Sequence, residues 1–153
     1  MPFDREIIEA KLGLELIEPA EMPKLAWDAL EADLDGPAIR RLAALVKPTW
    51  FQVREILPNA MQEMGLAPIT AGEGARRIAR RRAQEILKSG ADPLLFADEF
   101  GKLWIRTGYP SEISDLGALP DDIHVARLMG ESQEKIREWV TERLEDLVYD
   151  RPQ

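Results

Sequence analysis

Five arginines crowd into the nine residues "RRIARRRAQ", positions 76–84. Guanidinium groups at this density can grip phosphate, dock an acidic surface, or solvate one side of a helix. Just upstream, "GEGARR" sets two glycines and two arginines at a helix start, where free backbone N–H groups attract anions. Arg76 and Arg77 could hold an anion there, and Arg76 and Arg82 are the candidates for an anion or ion-pair site. The stretch lacks the lysine of a P-loop, and it lacks the third glycine and preceding strand of a dinucleotide fingerprint. Glu73 would repel a phosphate, and no aromatic side chain is present on which a base could stack.

Other chemistry is sparse. His124 is the single histidine, beside Asp121 and Asp122, and cysteine is absent. Neither H-E-x-x-H nor paired E-x-x-H segments occur, so no metal-ligand set is implied. No G-x-S-x-G nucleophile setting is present. The carboxylate pairs Asp98/Glu99 and Asp121/Asp122 fall near helix starts, where they suit the helix dipole. No catalytic residue, metal or cofactor follows from these patterns, which points away from an enzyme. The one catalytic reading left open is chemistry on a phosphorylated or acidic small molecule at Arg76, Arg77 and Arg82.

The element that carries the arginines explains most of them. On a helical wheel, Ala75, Ile78, Ala79, Ala83, Ile86 and Leu87 share one half. Arg77, Arg80, Arg81, Gln84, Glu85 and Lys88 share the other half or its edge. Arg77, Arg80 and Arg81 thus read as a solvated row open to a partner. Arg82 lies in the apolar sector, one turn from Ile78 and Ile86, so it needs a counter-charge or must snorkel. An acid from the N-terminal helices is the expected counter-charge, because residues 1–35 hold ten acids and three bases.

Charge is uneven along the 153 residues. The net charge is −8, with +2 over residues 36–70, +4 over 71–90 and negative ends. An acidic total opposes general binding to nucleic acid or anionic membrane. No apolar run approaches the ~18 residues that span a bilayer, and "MPFDREIIEAK" has no secretory pattern. The missing cysteines suit a reducing cytoplasm.

Helical periodicity covers nearly the whole chain. Asp4 caps "DREIIEAKLGLELI", with Ile7, Ile8, Leu12 and Leu16 in step and Gly13 weakening the end. "KLAWDALEA" sets Leu25, Trp27 and Leu30 on a short helix. "LDGPAIRRLAALVK" restarts at Asp35 with Pro37 in its first turn and Ile39, Leu42 and Leu45 or Val46 inside. Thr49 and Gln52 make a capping box. Val53, Leu57, Ala60, Met61 and Met64 then keep one face across Pro58, which predicts a kinked helix or two end to end. Gly65–Leu66 reads as a stop. Thr70 and Glu73 make a second capping box that opens the arginine helix, while Gly72 and Gly74, poor helix formers, allow a start two or three residues later. Asp92 and Pro93 open a helix with Leu95 or Phe96, Phe100, Leu103 and Trp104 inside. A helix pair closes the chain, with Ile136, Trp139, Val140, Leu144, Leu147 and Val148 facing in. No stretch alternates as a strand. The expectation is all-α: a single multi-helix domain over 1–153, about seven helices in an orthogonal or irregular bundle.

Within the last pair, "HVARLMGESQEKIREWV" resembles a helix-turn-helix segment over residues 124–140. Ala126, Gly130, Ile136 and Trp139 carry the resemblance: a small crossing residue, a turn glycine and two apolar seats. The resemblance implies DNA reading by Ser132, Gln133, Lys135 and Arg137. Glu131 stands where the family places an aliphatic residue. The order "GPAIRRLAAL", "EMGL", "GYP" also resembles small bacterial all-helical proteins with no assigned activity, which implies a helical cytoplasmic domain and no site residues.

The function expected from these patterns is a non-enzymatic protein-interaction module, immunity- or adaptor-like, meeting another protein, a basic one by preference. Arg77, Arg80, Arg81, Trp50 and Tyr109 are its candidate contacts, and self-association stays open. A DNA-binding regulator using 124–140 is the alternative.

Overall fold

The computed structural model describes residues 3–150, and every regular element among them is helical. Eight α-helices of seven residues or more form, one above the expected number, with a further four-residue turn. They are α1 (Arg5–Gly13), α2 (Met22–Glu31), α3 (Pro37–Ala43), α4 (Trp50–Glu63), α5 (Ala71–Ser89), α6 (Ala97–Arg106), the short α7 (Ser114–Gly117), α8 (Leu119–Leu128) and α9 (Gln133–Val148). The sequence shows no linker, yet the chain gathers into two compact units, Met1–Thr70 and Ala71–Gln153. No helix among the described residues is long and apolar enough to cross a membrane.

In unit 1, local chemistry sets most helix ends. The Asp4 carboxylate accepts from the Ile7 N–H and opens α1. The Thr49–Gln52 capping box forms in both directions and opens α4. α4 then runs unbroken through Pro58 and stops at Gly65, whose φ is 72°. Leu66 and Gly65 return hydrogen bonds to Met61 and Gln62, the expected glycine stop. α3 begins in another way. Its Ala38 and Ile39 N–H groups donate to Glu63 of α4 at 3.1 and 2.9 Å. Gly36 makes room for this, because a Cβ there would lie 2.2 Å from the Glu63 side chain. Asp35, expected to start the helix, pairs with Arg40 instead.

Met22, Leu25, Ala26 and Ala29 of α2, Ile39 and Leu42 of α3, and Val53, Ile56 and Ala60 of α4 fill the unit 1 core. α2 starts two residues before the expected Lys24, after a 3₁₀ turn at Pro19–Glu21. Trp27 and Val46 turn outward, at 56% and 83% exposure, so Leu45 is the inner residue of its pair.

Unit 2 is built on α5 packed along α9. The buried side of α5 is Ala75, Ala79, Ala83 and Ile86, small enough for close approach by Ile136, Val140, Leu144 and Val148 of α9. α5 starts at Ala71, earlier than glycine propensity suggests. Tertiary packing overrides propensity here: Gly74 is buried, and a Cβ on Gly72 would overlap the Glu112 carboxylate. Pro93–Phe96 forms a 3₁₀ turn before α6, leaving Leu95 exposed and Phe96 half-buried. Phe100 and Leu103 of α6, with Ile113, Leu116, Leu119 and Ile123, complete this core.

Candidate functional site

The arginines of α5 are half-buried and tied within unit 2. Arg82 Nε and Nη2 meet the two Glu99 carboxylate oxygens of α6 at 2.8 and 3.1 Å, and Nη1 meets Glu85 at 3.0 Å. Its counter-charge is therefore on α6, where an acid from the N-terminal helices was expected. The guanidinium also lies over the Phe96 ring at 5.0 Å. These hydrogen bonds hold the Glu99 carboxyl below its usual range and raise the guanidinium. Arg76 pairs with Asp150 and approaches Glu73 at 3.8 Å, and Arg77 Nε meets Glu73 at 3.2 Å. Arg80 donates to the Val148 carbonyl near the end of α9 at 3.2 Å. Arg81, half-buried, is also engaged. The row expected to face solvent is thus largely spent on unit 2 itself, and the fully exposed side of α5 carries Gln84, Glu85 and Lys88.

Residues 124–140 run from α8 through a tight turn into α9. Ala126 is buried, Gly130 turns at φ 78°, and Glu131 and Gly130 donate back to Ala126 and Arg127. Glu131 accepts from the Trp139 indole N–H at 3.1 Å, which gives a carboxylate a use where an aliphatic was expected. Of the residues that would read DNA, Ser132 caps α9 through the Lys135 N–H and Arg137 forms two hydrogen bonds with Asp92. Those bonds, first from Arg137 and then from the Leu94 N–H, hold the Asp92 carboxyl below its usual range. Gln133 and the Lys135 side chain remain exposed. Val125, Leu128 and Met129 form an exposed apolar ridge on and just after α8.

Trp104 and Tyr109 act as a closure. The Trp104 indole donates to the Pro110 carbonyl at 3.1 Å and meets Tyr109 edge-on at 5.1 Å. Gly117 lies under the indole, where a Cβ would stand 2.2 Å from the ring. Tyr109 keeps 59% of its surface exposed.

Trp50 leads elsewhere. It lies on one wall of a cleft in unit 1 with a volume of about 470 Å³. That wall is the α4 stripe Trp50, Arg54, Leu57 and Met61. Leu12 and Gly13 of α1, Ile17, Met22 and Ile69 complete the apolar lining, while Glu9, Glu15 and Glu18 supply carboxylates. Glu9 accepts from the Ala67 N–H, which fastens the 67–69 segment to α1. Glu15, Glu18 and Arg54 are exposed and make no ion pair among the described residues. Glu15 also adopts φ 55°, a left-handed conformation that favours glycine, at the end of α1. Phe51 points away and is 75% exposed. Sequence inspection found only Trp50 of this cleft. The spacing i, i+4, i+7, i+11 along α4 was the available signal, but Leu57 and Met61 read as ordinary core.

The cleft size is ordinary for a recognition pocket, and its polar groups sit at the exposed edge. Among the described residues, no group of three His, Asp or Glu side chains is placed to hold a metal. Comparison with protein-family models, characterised proteins and solved structures finds no match.

Proposed function

We propose that this chain is a non-enzymatic interaction module of the cytoplasm, adaptor- or immunity-like, that receives a basic partner protein through unit 1. The observation that carries this reading is the cleft itself: an apolar lining with Trp50 and Arg54 on α4 and two exposed carboxylates, Glu15 and Glu18, that make no ion pair among the described residues. Burial of apolar surface would supply affinity, and the carboxylates would steer a cationic partner and fix its orientation. Tryptophan is over-represented among binding hot spots. Sequence-selective DNA binding draws less support, since Arg137 and Ser132 already serve Asp92 and the α9 start.

The test is site-specific photo-cross-linking in cells of origin, with the reactive side chain at Glu18 and, for comparison, at Gln84 and Leu128. A discrete heteromeric product from position 18, weakened by salt and absent from position 84, supports the reading. Light scattering gives the accompanying stoichiometry. A protein that stays solitary and uncross-linked at physiological salt overturns it.

A further inference from the structure

We infer that the segment entering this cleft is a single amphipathic helix of about three turns, with one apolar stripe and lysine or arginine along one flank; this rests on the reading of unit 1 as a recognition surface. From Trp50 to Met61 the α4 wall covers twelve residues, eleven steps and about 16 Å of helix, which is three turns. Apolar anchors at i, i+4 and i+7 of an incoming helix repeat over that length. The volume is enough for a few side chains and too small for a whole helix, so the partner backbone would stay outside. A strand-adding peptide has no template, because that mode needs a sheet edge and no strand occurs among the described residues. The lining offers chiefly apolar groups, and the charges stand at the edge, which is the arrangement an amphipathic helix complements.

The charges also orient the occupant. Glu9 is engaged with the Ala67 N–H, so Glu15 and Glu18 are the carboxylates on offer beyond the end of α1. Arg54, on the α4 stripe of the lining, repels a cation. The basic flank therefore lies toward Glu15 and Glu18, and the flank facing α4 is acidic or neutral.

The experiment titrates the full chain with three designed helical peptides of about four turns. The first carries a leucine stripe and a lysine flank. The second replaces the lysines with glutamates. The third has the first composition with its leucines scattered around the wheel. The neutral dye Nile red serves as a small apolar probe. The first peptide is expected to bind, the second at least tenfold more weakly, and the third not measurably. Glu15→Lys with Glu18→Lys, both at exposed positions, should reverse the preference toward the glutamate peptide with an unchanged helical spectrum. Equal binding of the first and third peptides overturns the inference, as does Nile red binding without any peptide binding. If all three peptides fail while position 18 still cross-links a partner, the helix inference falls and the interaction reading stands. If both experiments fail, both fall.

Discussion

Unit 2 uses its charges to fasten helices together, whereas unit 1 leaves several of its charges around an open cleft. In unit 2, Arg82 joins α5 to α6, and Arg137 joins α9 to the turn before α6. Arg143 joins α9 to Asp122 of α8 and to the Asp115 carbonyl, and stacks on Trp139 at 4.7 Å. In unit 1, Glu15, Glu18 and Arg54 have no such duty. A dense charge run in a sequence is thus weak guidance to a binding surface, since clustered guanidiniums are well suited to internal bridging. Under the proposed reading, scattered charges around exposed apolar side chains are the better guide.

The sharpest way to break this contrast is to damage each unit separately. Gly117→Val forces a side chain into the Trp104 indole, and overpacking of this kind costs roughly 3 kcal/mol. Denaturant unfolding should show that loss, while cross-linking from Glu18 persists in the fraction that stays folded. Trp50→Ala should do the reverse. Partner affinity falls about thirtyfold, near 2 kcal/mol for a hot-spot tryptophan, and unfolding stability falls by less than that.

Next in size is Arg82→Gln. The pair with Glu99 is partly solvent-screened, so the loss is at most about 1 kcal/mol in thermal unfolding at neutral pH. Its pH dependence follows from the Glu99 carboxyl, whose folded value lies below the usual 4.5. A depressed carboxylate contributes fully above its unfolded value, and the contribution disappears as pH falls through the lower folded value. The difference between wild type and Arg82→Gln should therefore shrink on acidification across that window. A difference that grows toward low pH would contradict the pairing.

The smallest expected effect is the most discriminating. Glu15→Gly relieves the left-handed backbone and should stabilise unit 1 by about 0.5 kcal/mol. The same change should slow association with a cationic partner, because a cleft carboxylate is lost. Stabilisation with unchanged association would leave Glu15 a mere helix terminus.

Local chemistry made much of the fold legible. The Asp4 cap, the Thr49–Gln52 box, Pro37, Gly65 and Gly130 all act within a few residues of themselves, and each stands where its type predicts. Non-local effects were not legible. Trp27 follows the helical pattern yet points outward, because Met22 and Ala29 already occupy the inner side of α2. Arg82 visibly required an acid, but only folding could select Glu99 over the ten acids of residues 1–35. The cleft escaped for the same reason: its lining comes from α1, the Glu15–Met22 stretch, α4 and the 67–69 segment, which no single window contains. Trp50 was the one trace of it.

The start of α3 is held by the Glu63 carboxylate, 25 and 24 residues downstream of the amides it accepts from. A chain ending before that glutamate would leave those two amides to water, as at any uncapped helix start. The seven-residue helix thus takes its cap from a helix that follows it in the sequence.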